Sequence, residues 1–194
     1  EIYDRIALGG VGHPADVERL RMTLLEMAHL EGFNRSAQDV TLARLLQFGV
    51  APALKQNFEE IQRAPYIIRL LLIELDGEGK PNFFRINYDG HWETFKKGTV
   101  IAGSEKVMDW IQNEIQKIPF ETFTLEKALE ETCRLWVESK KQEDEENKDF
   151  PSTLKEAFDQ WHLEGALLLG NLERRAIYRA LTKEEIEKLK SSVG

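Results

Sequence analysis

Residues 66–104 constrain the fold of this chain most, because they consist of short apolar runs separated by turn sequences. Residues 67–75 are rich in aliphatic and β-branched side chains, are too few to span a membrane, and end in Asp-Gly-Glu-Gly. A short run that stops at turn residues is typical of a strand. Residues 82–88 and 92–96 repeat the pattern around an Asp-Gly turn, and the three runs together predict an antiparallel meander.

Both faces of the first predicted strand are apolar. Ile68, Leu70 and Leu72 alternate on one face. The other face carries Ile67, Leu71, Ile73 and Leu75. Each face therefore needs a covering layer. Two long amphipathic segments precede the meander and two follow it, so we expect an α+β protein built as a four-layer αββα sandwich, helix–sheet–sheet–helix.

Length and composition agree with a single domain over residues 1–194. A chain of 194 residues with 42% hydrophobic composition can bury one core. Strands are predicted at residues 6–10, 66–75, 83–88, 92–96, 163–169 and 176–180. Two packed sheets require more strands than these, so we expect further strands upstream of residue 1.

Apolar residues at helical spacing mark the two helices before the meander. The first begins near Pro14 and carries Val17, Leu20, Leu24, Met27 and Ala28, through Leu30. The second follows an N-cap at Ser36 and carries Val40, Ala43, Leu46, Val50 and Leu54, continuing to Phe58 and Ile61. Pro52 lies inside the second helix, so a kink or one irregular turn is expected near Phe48 and Gly49.

The two helices after the meander each begin at a hydroxyl N-cap. Ser104 precedes a stripe of Val107, Ile111, Ile115 and Ile118. Thr124 precedes Leu125, Leu129, Cys133, Trp136 and Val137. Residues 140–150 are strongly charged and are predicted to form an acidic surface loop. A short amphipathic helix is predicted within residues 151–161, and a C-terminal helix at 182–191 begins with the capping box Thr182–Glu185.

Charge and cysteine content narrow the functional class. A net charge of −8 disfavours a nucleic-acid partner, which requires a surplus of Lys and Arg. The single cysteine excludes an internal disulfide. Neither a signal peptide nor an apolar run long enough to cross a bilayer is found, so we expect a cytoplasmic protein with no membrane partner.

Two groups of residues admit a binding function as well as a structural one. Gly9, Gly10 and Gly12 suggest a phosphate loop, but no Gly-Lys-Ser or Gly-Lys-Thr follows, and a strand-to-helix turn is favoured. Five carboxylates suggest a metal site, but their spacing lacks the central glycine of a calcium loop, and a solvated loop is favoured. They are Glu143, Asp144, Glu145, Glu146 and Asp149.

The cysteine and the histidines, which are often catalytic, are also interpreted as structural residues. Cys133 lies in mid-helix on an apolar stripe, where a buried hydrophobe is favoured over a thiol nucleophile. The histidines show no metal-ligand spacing and are interpreted as surface or cap residues. They are His13, His29, His91 and His162.

Four segments, in a fixed order along the chain, carry a family resemblance. They are Tyr-Asp-Arg-Ile-Ala-Leu-Gly-Gly-Val-Gly at 3–12, Tyr-Asp-Gly at 88–90, Ala-Gly-Ser at 102–104 and Tyr-Arg-Ala-Leu-Thr-Lys-Glu-Glu-Ile at 178–186. Together they resemble the proteasome subunits, in particular the α-type of bacteria and archaea. The final segment discriminates most, because β-type subunits do not usually end in this strand and helix. The resemblance covers residues 1–139 and 163–189, whereas residues 140–162 depart from the family's shorter connection.

The resemblance implies a non-catalytic α-type subunit of a 20S-like proteasome core. Such a subunit forms a homo-oligomeric ring, expected to be a heptamer, that stacks on a ring of β-type subunits. It gates the entry of substrates and docks an ATPase or other activator ring. The family's gate segment and its activator-binding Lys would both precede residue 1. The resemblance assigns no catalytic, cofactor-binding or metal-ligating residue to this chain.

Two alternatives stay open. Catalytic β-type subunits use an N-terminal Thr, supported by a Ser at the start of the third helix and an Asp-x-x-Ser-Gly segment after the fourth. Ser104 fits the first, but no such segment follows Ser139 and residue 1 is Glu, so a β-like peptidase would need a nucleophile upstream of this sequence. Ser104 is favoured as a helix cap. The second alternative is an unrelated α+β binding domain.

Overall fold

The computed structural model describes residues 1–62, 64–141, 153–170 and 177–192. It contains both helices and strands, so the α+β class predicted from the sequence is confirmed. The chain forms two compact units. The first comprises Glu1–Gly103 and Leu168–Tyr178, and the second comprises Ser104–Leu167 and Arg179–Gly194. Among the described residues, no helix has the length and apolar character needed to cross a lipid bilayer.

The first unit contains, in chain order, β1 (Ile6–Gly12), α1 (Pro14–Asn34), α2 (Leu42–Leu45), α3 (Ala51–Glu59), β2 (Ile68–Leu75), β3 (Pro81–Asn87) and β4 (Trp92–Phe95). A 3-10 turn at Ala37–Asp39 precedes α2, and a π-helical turn at Leu46–Val50 joins α2 to α3. The second unit contains α4 (Glu105–Lys117), a 3-10 turn at Phe120–Thr122, α5 (Leu125–Lys140), α6 (Leu154–Gln160) and α7 (Lys183–Ser192). Strands β5 (Ala166–Leu168) and β6 (Tyr178–Ala180) pair with each other.

The predicted meander is present as an antiparallel four-stranded sheet with the order β1-β2-β3-β4. At its centre, Leu72 of β2 pairs with Leu8 of β1 and with Phe84 of β3. Asp76 stabilises the turn between β2 and β3, because its carboxylate accepts two backbone N–H hydrogen bonds within the turn, each 2.9 Å long. The strand boundaries differ from the prediction at Ile67 and Tyr88, which lie just outside β2 and β3 and are exposed.

One face of this sheet is buried beneath the helices of the same unit. The residues of the sheet that belong to this buried core are Ile6, Ile68, Leu70, Leu72, Phe84 and Ile86. Those of the helical segments are Leu20, Leu24, Ala28, Leu42, Leu45, Leu46, Val50 and Leu54. Buried and half-buried side chains alternate along β2 from Ile68 to Ile73, as the two-residue period of a strand requires. The helices therefore cover the face that the sequence pattern assigned to Ile68, Leu70 and Leu72.

Three side chains predicted to lie in this core are instead exposed. Leu30 is two residues beyond the buried Ala28, which turns its side chain to the opposite side of α1. Because α3 ends at Glu59, Ile61 lies outside the helix. Phe58 is also partly exposed, and its ring contacts that of Tyr88 at a centroid distance of 5.5 Å. The predictions for these three positions were wrong because helix length and neighbouring turns decide where a stripe ends.

The irregular turn predicted before Pro52 is confirmed. The π-helical turn Leu46–Val50 directly precedes α3, and Pro52 lies in the first turn of α3. Proline has no N–H and its ring crowds the preceding turn, so the wider hydrogen-bonding pattern accommodates it there. Gly49 lies within the widened turn, where a Cβ would overlap the side chain of Met27 from α1. The turn thus brings α1 close to the α2–α3 segment.

The N-caps predicted at Ser104 and Thr124 are formed, and Thr153, which was not predicted, is a third. The N-cap predicted at Ser36 was wrong, because its side chain makes no cap bond. Ser104, Thr124 and Thr153 each accept a hydrogen bond from the backbone N–H three residues further on, at 3.3–3.4 Å. On α5, Cys133 and Val137 are buried as expected. The prediction was wrong for two other residues of this stripe, Leu125 and Trp136. Each of these two side chains is 37% exposed. Leu125 is the first residue of the helix, and the ring of Trp136 packs edge-on against the ring of Trp161, with centroids 5.2 Å apart.

The remaining differences concern the second half of the chain. Strands β5 and β6 are shorter than the predicted ranges 163–169 and 176–180. The helix predicted within 151–161 is α6. Lys140, placed in the acidic loop by the sequence prediction, ends α5, and residues 142–150 lie outside the described residues. The five carboxylates between 143 and 149, for which a solvated loop was favoured over a metal site, also lie outside the described residues.

Candidate functional site

The glycine-rich segment at the end of β1 belongs to the sheet. Gly9 and Gly10 pair with Leu71 and Leu70 of β2, so their backbone groups are engaged in the ladder. The helix α1 then begins after His13, whose Nδ1 accepts a hydrogen bond from the backbone N–H of Ala15 at 3.3 Å. This arrangement is the strand-to-helix turn favoured by the sequence, and the glycines do not form a loop that could surround a phosphate.

The thiol of Cys133 is buried on α5. Burial raises the pKa of the thiol to about 11, so the protonated form predominates at neutral pH and the thiolate needed for nucleophilic attack is scarce. Cys133 and His162 line one cavity of about 450 Å³ in the second unit, together with Trp136 and Trp161. The structure therefore brings two of the sequence candidates together in an apolar cavity, which suits packing better than nucleophilic chemistry.

The other sequence candidates lie apart from this cavity and serve local roles. The hydroxyl of Ser104 caps α4. His29 packs edge-on against the ring of Tyr3, with centroids 5.2 Å apart. His91 lies in the turn between β3 and β4. Within the described part of the chain, no three His, Cys, Asp or Glu side chains lie close enough together to hold a metal ion.

A cavity of about 880 Å³ lies in the first unit, at the β2–β3 turn end of the sheet. Strand register brings Glu74, Phe84 and Trp92 to the same face of the sheet at this cavity. The rings of Phe84 and Trp92 lie against each other, with centroids 6.1 Å apart. Glu74 therefore shares one face of the sheet, and the lining of this cavity, with two aromatic rings.

Sequence reasoning missed Glu74 as a functional candidate. Its side chain is only 7% exposed, and the backbone of Leu42, the first residue of α2, and the guanidinium of Arg5 favour its charged form. Thr41, the N-cap residue, makes no side-chain cap bond, and Glu74 of the sheet is the carboxylate near this helix N-terminus. Burial nevertheless raises the pKa of Glu74, against the opposing effects of Leu42 and Arg5. The sequence did contain a sign of this position, because Glu74 falls on the same face of β2 as Ile68, Leu70 and Leu72.

A second cluster lies where β6 meets α7. The guanidinium of Arg179 donates two hydrogen bonds to the carboxylate of Glu185, at 2.8 and 2.7 Å. The backbone N–H of Thr182 donates to the same carboxylate at 2.8 Å, and the backbone N–H of Glu185 donates to the Thr182 hydroxyl at 3.2 Å. The predicted capping box is thus confirmed and is joined to the last strand by an ion pair.

These contacts have an electrostatic consequence for Glu185. Arg179 first, and the Thr182 N–H second, lower the pKa of the Glu185 carboxyl to about 2. The carboxylate is therefore charged over the whole neutral range. The residues involved are those of the final sequence segment, 178–186, on which the family resemblance depends most.

Comparison with known proteins agrees with this pattern. The protein-family model described as "Proteasome subunit" matches residues 1–149. The chain is 29% identical over 191 residues to "Proteasome subunit alpha" of Thermomonospora curvata, a match that covers 97% of this chain and 74% of the relative. It is 28% identical to the protein of the same name from a Nocardioides species, over 78% of this chain and 57% of the relative. A third, from Acidimicrobium ferrooxidans, is 35% identical over 53% of this chain and 44% of the relative.

The chain belongs to the proteasome subunit family. Its relatives carry the α-type name, so the α-type resemblance recognised in the sequence is confirmed, as is the predicted fold class. In the Nocardioides and Acidimicrobium matches the chain spans less than two thirds of the relative's length.

Proposed function

We propose that this chain is a non-catalytic subunit of the outer ring of a 20S-like proteasome core. In this role it forms a ring with copies of itself, seven to a ring, scaffolds the β-type ring, gates the entry of substrates and docks an ATPase or other activator ring. The observation that carries the proposal is the junction of Arg179, Thr182 and Glu185, because this strand-and-helix ending distinguishes α-type from β-type subunits. The similarity to proteins named proteasome subunit alpha supports it.

Two properties of the described residues support a scaffold rather than an enzyme. The thiol of Cys133 is protonated at neutral pH, and the hydroxyl of Ser104 is committed to a helix N-terminus. Large apolar side chains also stand exposed on the first unit, as is common where protein surfaces associate. They include Leu30, Phe33, Phe48, Ile61 and Ile67. The proposal extends to one proteasome-subunit-like domain over residues 1–194, an acidic surface loop at 140–150 and a cytoplasmic location.

Fluorogenic peptide hydrolysis tests this function. The purified protein with its native N-terminus is assayed alone and after assembly with a β-type ring, using a panel of peptides and an active-site label. We expect no turnover by the protein alone, turnover in the assembly, and label on the β-type subunits only. Turnover by the protein alone that survives Ser104→Ala and Cys133→Ala but is lost on blocking the N-terminal amine would instead identify a β-like threonine peptidase.

A further inference from the structure

The cavity at the β2–β3 turn end of the sheet combines an aromatic surface with a buried carboxylate. Phe84 and Trp92 provide the aromatic surface, and Glu74 lies on the same face of the sheet. Thr41 and Thr94 add hydroxyl groups to the lining. At about 880 Å³ the cavity is large enough for an amino-acid side chain and its adjoining backbone. Nothing in the proteasome assignment uses this cavity.

The other charged groups that line the cavity are engaged in local hydrogen bonds. Arg5 donates to the carbonyl oxygens of Leu75 and Gln38, at 3.1 and 3.3 Å. The Nζ atom of Lys96 donates a hydrogen bond to Oδ1 of Asn82 at 2.6 Å. The carboxylate of Asp76 accepts backbone N–H groups of its own turn and its pKa is lowered by them. These groups are therefore satisfied without a ligand.

The position of Glu74 is different. Its carboxylate is buried, and burial affects its pKa more than the Leu42 N–H and the neighbouring Arg5 do, while Asp76 adds an unfavourable negative charge. The charged form of Glu74 is thus under-compensated at its site. A further cationic donor entering the cavity would stabilise that form, since a charge-assisted hydrogen bond is strongest where water is excluded.

We propose that this cavity binds the basic side chain of a partner polypeptide, with the alkyl stem lying on Phe84 and Trp92 and the cationic group at the carboxylate of Glu74. The aromatic faces attract a cation through their quadrupole and contact its stem by dispersion. An anionic group beside Glu74 and Asp76 is disfavoured by their charge, and the lining cations Arg5 and Lys96 already donate hydrogen bonds to oxygens of the protein. A wholly apolar ligand would seal the Glu74 carboxylate away from water without supplying a hydrogen-bond donor.

The test uses the full chain and Nα-acetyl-argininamide as the probe, with Nα-acetyl-citrullinamide as a neutral probe of nearly the same shape. Binding is followed by tryptophan fluorescence, assigned with Trp92→Phe, and by NMR of the glutamate carboxyl carbons. We expect the arginine probe to bind roughly tenfold or more tightly than the citrulline probe, the factor set by one charge-assisted hydrogen bond. We also expect its binding to lower the titration midpoint of Glu74, as linkage requires when the charged form is stabilised.

The decisive variant is Glu74→Gln, which keeps the size of the side chain and its polar character but removes the charge. We expect it to lose the preference for arginine over citrulline, whereas the matched control Glu78→Gln, an exposed carboxylate of the adjoining turn, keeps it. Equal binding of the two probes, an unshifted Glu74 midpoint in the unmodified protein, or an intact preference in Glu74→Gln would overturn the proposal. Spermidine binding more tightly than the arginine probe would overturn the assignment to a polypeptide side chain. The midpoint measurement requires no variant, so it stands even where Glu74→Gln fails to fold.

Discussion

At the scale of single residues, Gly12 is the most restrictive position in the first unit's sheet. It has a φ of +138°, and a Cβ there would overlap the carbonyl oxygen of Ile67. We expect Gly12→Ala to lower the free energy of unfolding by about 1–3 kcal/mol or more, because both the backbone conformation and the contact with a carbonyl are unfavourable. Chemical denaturation of the variant measures this loss.

The same strand offers the control. A Cβ at Gly9 meets nothing within 4 Å, so Gly9→Ala is expected to leave stability nearly unchanged or to increase it slightly by restricting the unfolded chain. Equal losses in the two variants would show that the backbone conformation and the close carbonyl contact of Gly12 are not the reason for the loss.

The carboxyl of Glu185 predicts a pH dependence of stability. Its pKa is about 2 in the folded chain, below its ordinary value of 4.5, because Arg179 and the Thr182 N–H favour the charged form. A depressed folded pKa contributes stability that is present above about 4.5 and is lost as pH falls towards 2. We therefore expect Glu185→Gln to lower Tm at neutral pH, and the difference from the unmodified protein to shrink between those two values.

Glu184→Gln, one residue earlier in the first turn of α7, removes the same charge without touching Arg179. Its effect on Tm should be smaller at neutral pH. If both variants behaved alike across the pH range, a general charge effect on α7 would account for the result and the ion pair with β6 would not.

At the scale of secondary-structure elements, β2 carries the core of the first unit. Leu72 is fully buried at the centre of this strand, so Leu72→Ala should cost about 2–5 kcal/mol of unfolding free energy, the range for large-to-small substitutions in a core. Ile67→Ala is the matched control, since this residue directly precedes β2 and is 74% exposed. A loss at Ile67 as large as that at Leu72 would contradict the assignment of the core.

The segment between α5 and α6 should contribute little to stability, in contrast to β2. Residues 142–148 include no apolar side chain, so they have little to bury, and shortening a connection changes closure entropy only weakly. Deleting them should leave Tm close to that of the unmodified protein in a thermal scan. A decrease in Tm greater than that of Leu72→Ala would mean that this segment contributes to the core.

At the scale of the whole molecule, the proposed ring is the main prediction. Contacts between unlike surfaces of identical subunits close into a ring when the rotation between neighbours permits it. Native mass spectrometry of the intact chain should therefore give a heptamer or its double, and electron microscopy should give rings. Monomers alone under both methods would contradict the scaffold function and would favour an unrelated binding domain.

Much of the element pattern could be predicted before the structure was known. The meander, an irregular turn near Pro52, the hydroxyl caps of α4 and α5 and the Thr182–Glu185 capping box all follow from residues close to one another in the chain. Boundaries and stripe ends were predicted less well, as Leu30, Phe58 and Ile61 show. Those depend on which distant side chains reach the helix, and periodicity alone carries no information about them.

The sequence by itself determined the α+β class, the order of the elements, the family and the burial expected of Cys133. These follow from local propensity, from hydrophobic period and from motifs of adjacent residues. Only the tertiary structure decided that Glu74 would lie near the first residue of α2 and face a cavity with Phe84 and Trp92. These residues lie on α2, β2, β3 and β4, far apart in the chain. Strand register and helix packing bring them together once the chain has folded.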